Sequence, residues 1–325
     1  MAFRLVVDRA GTPADLKAQP FDPEPPGPGQ VQIRQGDVGV NMIDTYVISG
    51  AYAIDPFPLT PGVEGAGVVT AIGDGVTGFK VGDRVAYGGP PLGAYASART
   101  LPPDYMVRMP DGLDFAQAAA ITIAGATAQM MVRRVYPVGL GTRVLVHAAA
   151  GGTGRAIVRW AAHLGAQVFG TVGGPAKADV ARADGCRHVI DYRRTDFADA
   201  VLALTDGAGV DVVYDGVGHD TFVGSFKALT PTGMFVSFGQ ASGPCPPIDL
   251  GNLPVTFSNT IARPSVFAFN PSADVFRATM REVFEAVASG VLDPEPTHRY
   301  ALEDADQALD DLTARRTSGA IVLTV

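Results

Sequence analysis

This chain of 325 residues has few cysteines and histidines and no excess of positive charge. The two cysteines, Cys186 and Cys245, are far apart, which excludes a disulfide framework or a four-cysteine zinc cluster and fits a reducing compartment. The net charge of −8 gives no support for a nucleic acid or an anionic membrane as partner. The first residues predict a strand and lack the apolar region of a signal peptide, so we expect a cytoplasmic protein.

Membrane-spanning segments are not predicted either. The most apolar window, residues 115–132, is interrupted by the polar side chains of Gln117, Thr122, Thr127 and Gln129, which favours buried helices over a membrane span. With 47% hydrophobic and 18% charged residues the chain is typical of a globular protein. Its length predicts two domains.

The most informative stretch is residues 144–154, Val-Leu-Val-His-Ala-Ala-Ala-Gly-Gly-Thr-Gly. An apolar strand runs into small residues and glycines, and a helical pattern follows. The spacing of Ala149, Gly151 and Gly154 is that of G-x-G-x-x-G with alanine in the first place. A tight turn allows close approach to a pyrophosphate, and the helix amino end donates free N–H groups. A second apolar strand, residues 167–172, follows at the distance expected for a βαβ unit. We therefore predict a dinucleotide-binding turn.

The end of that second strand indicates which dinucleotide binds. NAD-binding folds usually place an Asp or Glu there to hold the ribose hydroxyls. This chain has Gly173 and Gly174, with Lys177 shortly after. A missing carboxylate leaves room for a 2′-phosphate with which a lysine can pair, so we predict NADPH. The alternative is that Lys177 is a solvated helix residue.

The pattern of elements divides the chain into three segments. Residues 1–121 predict short, tightly turned strands of a small barrel, with a short helix from Asn41 to Ser49. Residues 122–264 alternate strands and helices, which predicts a parallel sheet with right-handed crossovers. Residues 265–325 predict two amphipathic helices and a closing strand. The nucleotide-binding domain is thus predicted to be inserted in a discontinuous partner domain.

Seven motifs together resemble one family. They are Asn41-Met-Ile-Asp-Thr-Tyr46, Gly50-Ala-Tyr52, Pro61-Gly-Val-Glu-Gly-Ala-Gly67, Val81-Gly-Asp-Arg-Val85, the turn from His147 to Gly154, Val212-Val-Tyr-Asp-Gly-Val-Gly218 and Val236-Ser-Phe-Gly239. With them the chain resembles the zinc-independent quinone oxidoreductases of the medium-chain dehydrogenase/reductase superfamily. The resemblance implies an α/β protein whose Rossmann doubly wound parallel sheet is inserted in a GroES-like β-barrel domain, and usually a homodimer.

A bound metal is not predicted. Zinc-dependent relatives carry a ligand cysteine near the position of Asn41 and a Gly-His-Glu where this chain has Gly62-Val-Glu64. Val63 has no lone pair to offer, and no soft ligand replaces the cysteine. The five histidines are far apart in sequence, and we expect His147 to be a structural residue bonded to backbone. No second nucleotide fingerprint is present, so a flavin is not expected.

Without a metal, a side chain must donate a hydrogen bond to the reduced substrate oxygen. Phenols suit this task because they donate at neutral pH and pack beside flat acceptors. The family resemblance implies a cleft between the two domains and places Tyr46 and Tyr52 on a segment that lines it. Tyr52 matches the proton-donor tyrosine of related enoyl thioester reductases. Asn41 and Asp44 are candidates for orienting the nicotinamide or a water. The alternative is that both tyrosines only pack.

Further cofactor contacts are implied by position in the family. Thr127 is expected near the nicotinamide, Tyr192 with Lys177 near the 2′-phosphate, and Arg315 near the adenine. The remaining expected contacts lie at strand or helix ends, where such ligands bind; they are Gly151, Gly152, Thr153, Gly154, Gly173, Gly216, Val217, Gly218, Phe238 and Gly239.

Three functions are compatible with these residues. The first is NADPH-dependent reduction of quinones by direct hydride transfer. The second is reduction of an activated C=C bond in an enone or enoyl thioester, which has nearly the same chemistry. The third is a non-catalytic NADPH-binding protein that serves as a sensor or structural component.

Overall fold

The computed structural model describes residues 2–52, 56–249, 251 and 258–325. The chain forms two compact units, Met1–Ala126 with Asn270–Val325, and Thr127–Phe269. The predicted boundaries at 122 and 264 lie a few residues earlier than these divisions. Both the predicted boundary at 122 and the observed division after Ala126 fall inside one helix, Phe115–Gln129.

The first unit is built on a seven-stranded sheet. Its strands are β3 (Val31–Val40), β4 (Glu64–Ile72), β5 (Arg84–Gly88), β6 (Ala98–Leu101), β7 (Met106–Arg108), β14 (His298–Ala301) and β15 (Ile321–Thr324). The path runs β14-β15-β3-β4-β5-β7, β6 pairs with β3, and all pairs except β14 with β15 are antiparallel. A separate pair joins β1 (Ala2–Val6) and β2 (Lys17–Phe21). This is the predicted GroES-like architecture.

Glycine allows two strands of this sheet to approach closely. The register of β3 and β4 shifts between Gln35 and Asp37. A Cβ at Gly67 on β4 would lie 2.2 Å from the carbonyl oxygen of Arg34, so only glycine fits there. The helices of this unit are α1 (Met42–Ile48), α8 (Ala273–Ala288), α9 (Ala305–Thr313) and most of α2 (Phe115–Gln129), whose last residues from Thr127 onward belong to the second unit.

The second unit contains a six-stranded parallel sheet. Its strands are β8 (Arg143–Val146), β9 (Gln167–Val172), β10 (His188–Asp191), β11 (Val210–Asp215), β12 (Leu229–Ser237) and β13 (Thr260–Ala262). Its helices are α3 (Gly152–His163), α4 (Pro175–Ala183), α5 (Phe197–Leu204), α6 (Phe222–Ala228) and α7 (Val266–Phe269). The strand order is β10-β9-β8-β11-β12-β13, so the direction of winding reverses between β8 and β11. The predicted Rossmann fold is confirmed. Ligands of such sheets bind outside the carboxyl ends of the strands at this reversal.

The apolar window of the sequence forms one long helical segment. Helix α2 continues as a π-helical turn over Met130–Val135. The combined segment Phe115–Val135 is long and apolar enough to cross a membrane by length and composition alone, but 89% of the tested window is buried in the protein. Burial of this kind is typical of a core helix, as the sequence predicted.

The edge of the parallel sheet bears on the predicted homodimer. The sequence predicts that a strand over residues 254–261 could pair between two copies. Residues 254–257 lie outside the described residues, and β13 covers Thr260–Ala262 at the sheet edge. The homodimer stays a prediction.

Candidate functional site

The start of helix α1 brings two predicted catalytic residues together. Asn41 is the N-cap residue, and its backbone N–H donates to Asp44 Oδ2 over 2.8 Å. Tyr95 also donates to Asp44 Oδ2, from its hydroxyl at 3.1 Å. The other oxygen, Asp44 Oδ1, is buried and has no hydrogen-bond partner in the part of the chain that the structure describes. The helix therefore begins on a carboxyl group that is enclosed by protein.

Glu64, which sequence reasoning did not select as a site residue, completes this cluster. The Asn41 side chain donates its Nδ2–H to Glu64 Oε1 over 2.5 Å. The backbone N–H of Ile123 donates to Glu64 Oε2 over 2.7 Å. Gly39 leaves space for this carboxyl, because a Cβ there would lie 2.5 Å from Glu64 Oε1. We call Asn41, Asp44, Glu64 and Tyr95 the buried acid cluster.

Burial changes the protonation of this cluster. Asp44 is 0% and Glu64 2% exposed. Burial raises the pKa of Asp44 to about 7, although the hydrogen bonds from Asn41 and Tyr95 act in the opposite direction. Burial likewise raises the pKa of Glu64 to about 8, against the bonds from Asn41 and Ile123. The first unit thus holds two carboxyl groups that change protonation near neutral pH, where groups that exchange protons in catalysis usually titrate.

The two predicted tyrosines lie next to this cluster in sequence and next to each other in space. Tyr46 is on α1, and the ring centroids of Tyr46 and Tyr52 are 5.1 Å apart at an interplanar angle of 56°. The N–H of Tyr52 donates to the carbonyl oxygen of Tyr46 over 2.9 Å. Gly50 makes this return of the chain possible through its φ of +75°. Tyr52 also packs on the core of the first unit.

In the second unit, the glycine turn has the geometry of a phosphate cradle. It follows β8, and Gly152, Thr153 and Gly154 form the first turn of α3, where N–H groups have no partner within the helix. Ala148 has a φ of +51°, and its carbonyl oxygen accepts from the N–H of Gly151 at 2.9 Å. A Cβ at Gly154 would lie 2.2 Å from that oxygen, so the turn closes only with glycine there. Such a helix start favours an anion.

The turn after β9 combines the predicted phosphate residues with an arginine that sequence reasoning missed. A Cβ at Gly173 would lie 2.5 Å from the Tyr192 hydroxyl and 3.4 Å from Arg193 Nε. A Cβ at Gly174 would lie 3.5 Å from an Arg193 guanidinium nitrogen. Tyr192 is 40% exposed, and Lys177 lies in the first turn of α4. Arg193 follows the predicted Tyr192 directly, so its position in the sequence is the signal that could have identified it.

The turns after β11 and β12 also meet. The N–H of Phe238 donates to the carbonyl oxygen of Asp215 over 2.8 Å. A Cβ at Gly216 would lie 3.0 Å from the Phe238 ring, and one at Gly239 would lie 2.7 Å from the carbonyl oxygen of Gly216. The predicted contacts Gly216 to Gly218 and Phe238 to Gly239 therefore form one continuous surface at the carboxyl ends of adjacent strands.

Two further predicted cofactor residues, Thr127 and Arg315, do not belong to these turns. Thr127 is the first residue of the second unit and is 8% exposed. Arg315 belongs to the first unit, where it follows α9 with a φ of +60°. The left-handed conformation is the one that commonly ends a helix. Roles of both residues in cofactor binding stay predictions.

His147 differs from its prediction. We expected its ring to bond to backbone, but both ring nitrogens bond to side chains, Nδ1 to Thr171 Oγ1 at 2.9 Å and Nε2 to Ser225 Oγ at 3.0 Å. The ring is completely buried. The backbone groups nearby are already used by the sheet, since the His147 N–H donates to the carbonyl oxygen of Tyr214 over 3.0 Å. Side-chain hydroxyls are the partners that remain.

The residues at the zinc position of related enzymes do not fit a metal. Val63 is apolar and 1% exposed, and the neighbouring Asn41 and Glu64 side chains are bonded to each other. Within the described ranges, no group of three or more His, Cys, Asp or Glu side chains is placed to hold a metal ion. The zinc-free prediction rests on this ligand chemistry.

Comparisons with known proteins agree with both units. An alcohol dehydrogenase GroES-like domain model matches residues 27–111, and a zinc-binding dehydrogenase model matches residues 185–323. A quinone oxidoreductase of Pseudomonas aeruginosa is 43% identical over 99% of each chain. A 2-haloacrylate reductase of a Burkholderia species is 39% identical, also over 99% of each chain.

A solved structure gives the same result. The Escherichia coli quinone oxidoreductase complexed with NADPH matches with a TM-score of 0.97 and 36% identity, and the match covers 99% of this chain and all of the other. Fold, motifs and identity over the full length therefore agree, and this chain belongs to the quinone oxidoreductase family of the medium-chain dehydrogenase/reductase superfamily.

Proposed function

We propose that this protein is an NADPH-dependent quinone oxidoreductase. The main support is the glycine turn of residues 148–154, which lies beside the reversal of winding between β8 and β11. This turn closes only because residue 154 has no side chain. The relatives named quinone oxidoreductase, one of them solved with NADPH, support the same assignment. Bound NADPH supplies a hydride to the acceptor.

The chain's own residues have three tasks in this proposal. The first turn of α3 binds the pyrophosphate through its N–H groups. Lys177, Tyr192 and Arg193 hold the 2′-phosphate, because cationic and hydroxyl donors surround a turn that has no carboxylate of its own. Tyr52, with Tyr46 beside it, donates a hydrogen bond to the oxygen that gains negative charge.

A direct assay separates this function from its alternatives. We expect NADPH oxidation with naphthoquinones and phenanthrenequinone, with activity that survives dialysis against a chelator. Because a 2-haloacrylate reductase is 39% identical, enones, 2-haloacrylates and crotonyl thioesters are measured in parallel. Faster turnover of these activated alkenes would favour the second candidate, a C=C reductase. NADPH binding without reduction of any acceptor would favour a non-catalytic protein.

The 2′-phosphate assignment gives a test of coenzyme choice. We expect Lys177→Ala and Arg193→Ala each to raise the KM for NADPH about tenfold, the loss of one charge-assisted hydrogen bond, while the KM for NADH stays unchanged. Arg194→Ala is the matched control, because it removes the same charge from the adjacent residue, and it should change either KM less than about twofold. Equal effects on NADPH and NADH would contradict the assignment.

The tyrosine assignment gives a test of the chemical step. Tyr52→Phe keeps the ring contact with Tyr46 and removes only the hydroxyl. We expect turnover to fall about fivefold, the equivalent of one ordinary hydrogen bond, since a reduced quinone anion is stable without a strong acid. The kcat at saturating NADPH and quinone measures this, with Tyr46→Phe in parallel. A rate unchanged within error would count against a donor role for Tyr52.

A further inference from the structure

A chain of buried polar groups begins at β9 and crosses β8. Thr171, at the end of β9, is 2% exposed, and His147 and Ser225 are 0% exposed. The His147 ring bridges the two hydroxyls through Nδ1 and Nε2, and the Phe197 ring packs edge-on against it with centroids 4.7 Å apart. A polar ring in such a place must satisfy both nitrogens internally.

The hydrogen bonds assign a direction to this chain. Ser225 Oγ donates to the carbonyl oxygen of Thr221 over 2.8 Å, which uses its only proton. His147 Nε2 must then carry a proton and donate to Ser225, and Nδ1 accepts from the Thr171 hydroxyl. A neutral ring fits this arrangement, because burial lowers the pKa of His147, with the nearby Asp215 carboxyl acting in the opposite direction.

The chain continues to the turn after β11. The Thr221 hydroxyl donates to Asp215 Oδ2 over 2.7 Å. Asp215 is 0% exposed, and its Oδ1 accepts from the N–H groups of Val217 at 2.7 Å and Gly218 at 3.0 Å. The buried polar chain therefore consists of Thr171, His147, Ser225, the half-buried Thr221 and Asp215, and it ends on backbone that belongs to the predicted cofactor surface.

The same residues hold the glycine turn. The carbonyl oxygen of Thr171 accepts from the N–H of Ala149 at 3.1 Å, and His147 is the residue from which the turn departs. Gly173 lies two residues beyond Thr171. Through one set of bonds the buried polar chain thus connects the turns that follow β8, β9 and β11, and all three carry predicted cofactor contacts.

We propose that the buried polar chain is a positioning device that holds these three turns in their binding geometry before the dinucleotide arrives. The inference rests on the proposed function, since it concerns affinity for NADPH. The most buried members act through the backbone that they hold. Turns that are already ordered lose less freedom on binding. Loss of one hydrogen bond in the buried polar chain should therefore raise the Kd for NADPH and leave the rate of the chemical step unchanged.

The test removes one hydroxyl without changing side-chain volume. In Thr171→Val the Nδ1 of His147 loses its partner, and we expect the Kd for NADPH to rise about tenfold, with kcat at saturating NADPH unchanged within about twofold. In the cofactor-free protein, amide hydrogen exchange at Val217 and Gly218 should become faster. Thr171→Ser keeps the hydroxyl and should bind NADPH within about twofold of wild type.

A control in the same unit separates positioning from general destabilisation. Thr205 does not belong to the buried polar chain, and its hydroxyl donates to the Val201 carbonyl and accepts from the Gly209 N–H. Thr205→Val should lower the Tm without raising the Kd. The inference is wrong if Thr171→Val binds NADPH like wild type, or if Thr205→Val weakens binding equally.

Two further measurements keep the test decisive. If Thr171→Val does not fold, Ser225→Ala removes the hydrogen bond between His147 Nε2 and Ser225 Oγ in the buried polar chain and is expected to have the same effects. A wild-type protein that binds no NADPH would contradict the proposed function. Amide exchange at Val217 and Gly218 then decides the inference alone: unchanged exchange in the variants overturns it, and faster exchange with Thr205→Val unaffected supports it.

Discussion

Replacing Gly154 with alanine is expected to weaken NADPH binding by about 30-fold or more and to lower the Tm of the cofactor-free protein. Helix propensity alone would predict stabilisation of about 1 kcal/mol, because Gly154 lies in the first turn of α3. The steric effect is larger and has the opposite sign. The added Cβ would lie 2.2 Å from the Ala148 carbonyl oxygen and 3.2 Å from the Ala149 Cα, so the backbone of the turn must move.

Two other glycines in the same unit provide controls for this prediction. Gly139 has no atom within 4 Å of an added Cβ, so Gly139→Ala should leave both affinity and Tm unchanged. Gly151 has an ordinary φ of −82°, and its added Cβ would lie 3.3 Å from Ala148 O. We expect Gly151→Ala to lower the Tm less than Gly154→Ala does, because the Ala148 carbonyl oxygen has to move by only a few tenths of an ångström, and to lower NADPH affinity by narrowing the proposed phosphate site. Titration of protein fluorescence with NADPH, together with thermal unfolding, measures both effects. Wild-type affinity in Gly154→Ala would exclude this turn as the cradle.

The stability of wild type relative to Asp44→Asn is expected to fall as the pH rises from about 5 to 7. Asp44 ionises near 3.8 in the unfolded chain, whereas burial raises its pKa to about 7 in the fold. Between these values the unfolded state releases a proton that the folded state keeps, so the contribution of Asp44 is complete below pH 4 and is lost as the pH approaches 7. The slope approaches about 1.4 kcal/mol per pH unit. Asparagine imitates the protonated carboxyl and does not titrate.

Denaturant unfolding at pH 5, 6 and 7 measures this difference. Subtracting the two unfolding free energies removes the contribution of titrating groups that both proteins share. The difference between the unfolding free energies of wild type and Glu64→Gln should fall in the same way up to about pH 8, because burial raises the pKa of Glu64 to about 8. Asp74→Asn, at an exposed position, is the matched control and should parallel wild type. A wild-type minus Asp44→Asn difference that is independent of pH would show that Asp44 is already ionised in the fold.

Local patterns in the sequence were sufficient for the frame of the protein. Alternating strands and helices between residues 122 and 264 predicted the parallel sheet, since the periods of 2 and 3.6 are properties of short segments. Asn41 and Gly50 marked the limits of α1 because capping and left-handed conformations depend on single residues. The glycine spacing from 149 to 154 predicted the tight turn between β8 and α3 for the same reason.

Contacts between distant residues were beyond such patterns. Glu64 was read only as part of a family motif, and its bond to Asn41 spans 23 positions along the chain. The partners of His147 were predicted wrongly because Ser225 lies 78 positions away, on helix α6. Arg193 was not predicted because only folding brings its guanidinium group next to Gly173 and Gly174.

The amino-acid sequence by itself determined the two-part architecture, the family, and the missing carboxylate at Gly173 and Gly174, all of which are encoded in neighbouring residues. Tertiary structure alone decided the protonation of Asp44 and Glu64 and the connection of the three turns through His147. The physical reason is that pKa values and buried hydrogen bonds depend on the removal of water and on groups that only folding brings within 3 Å or so.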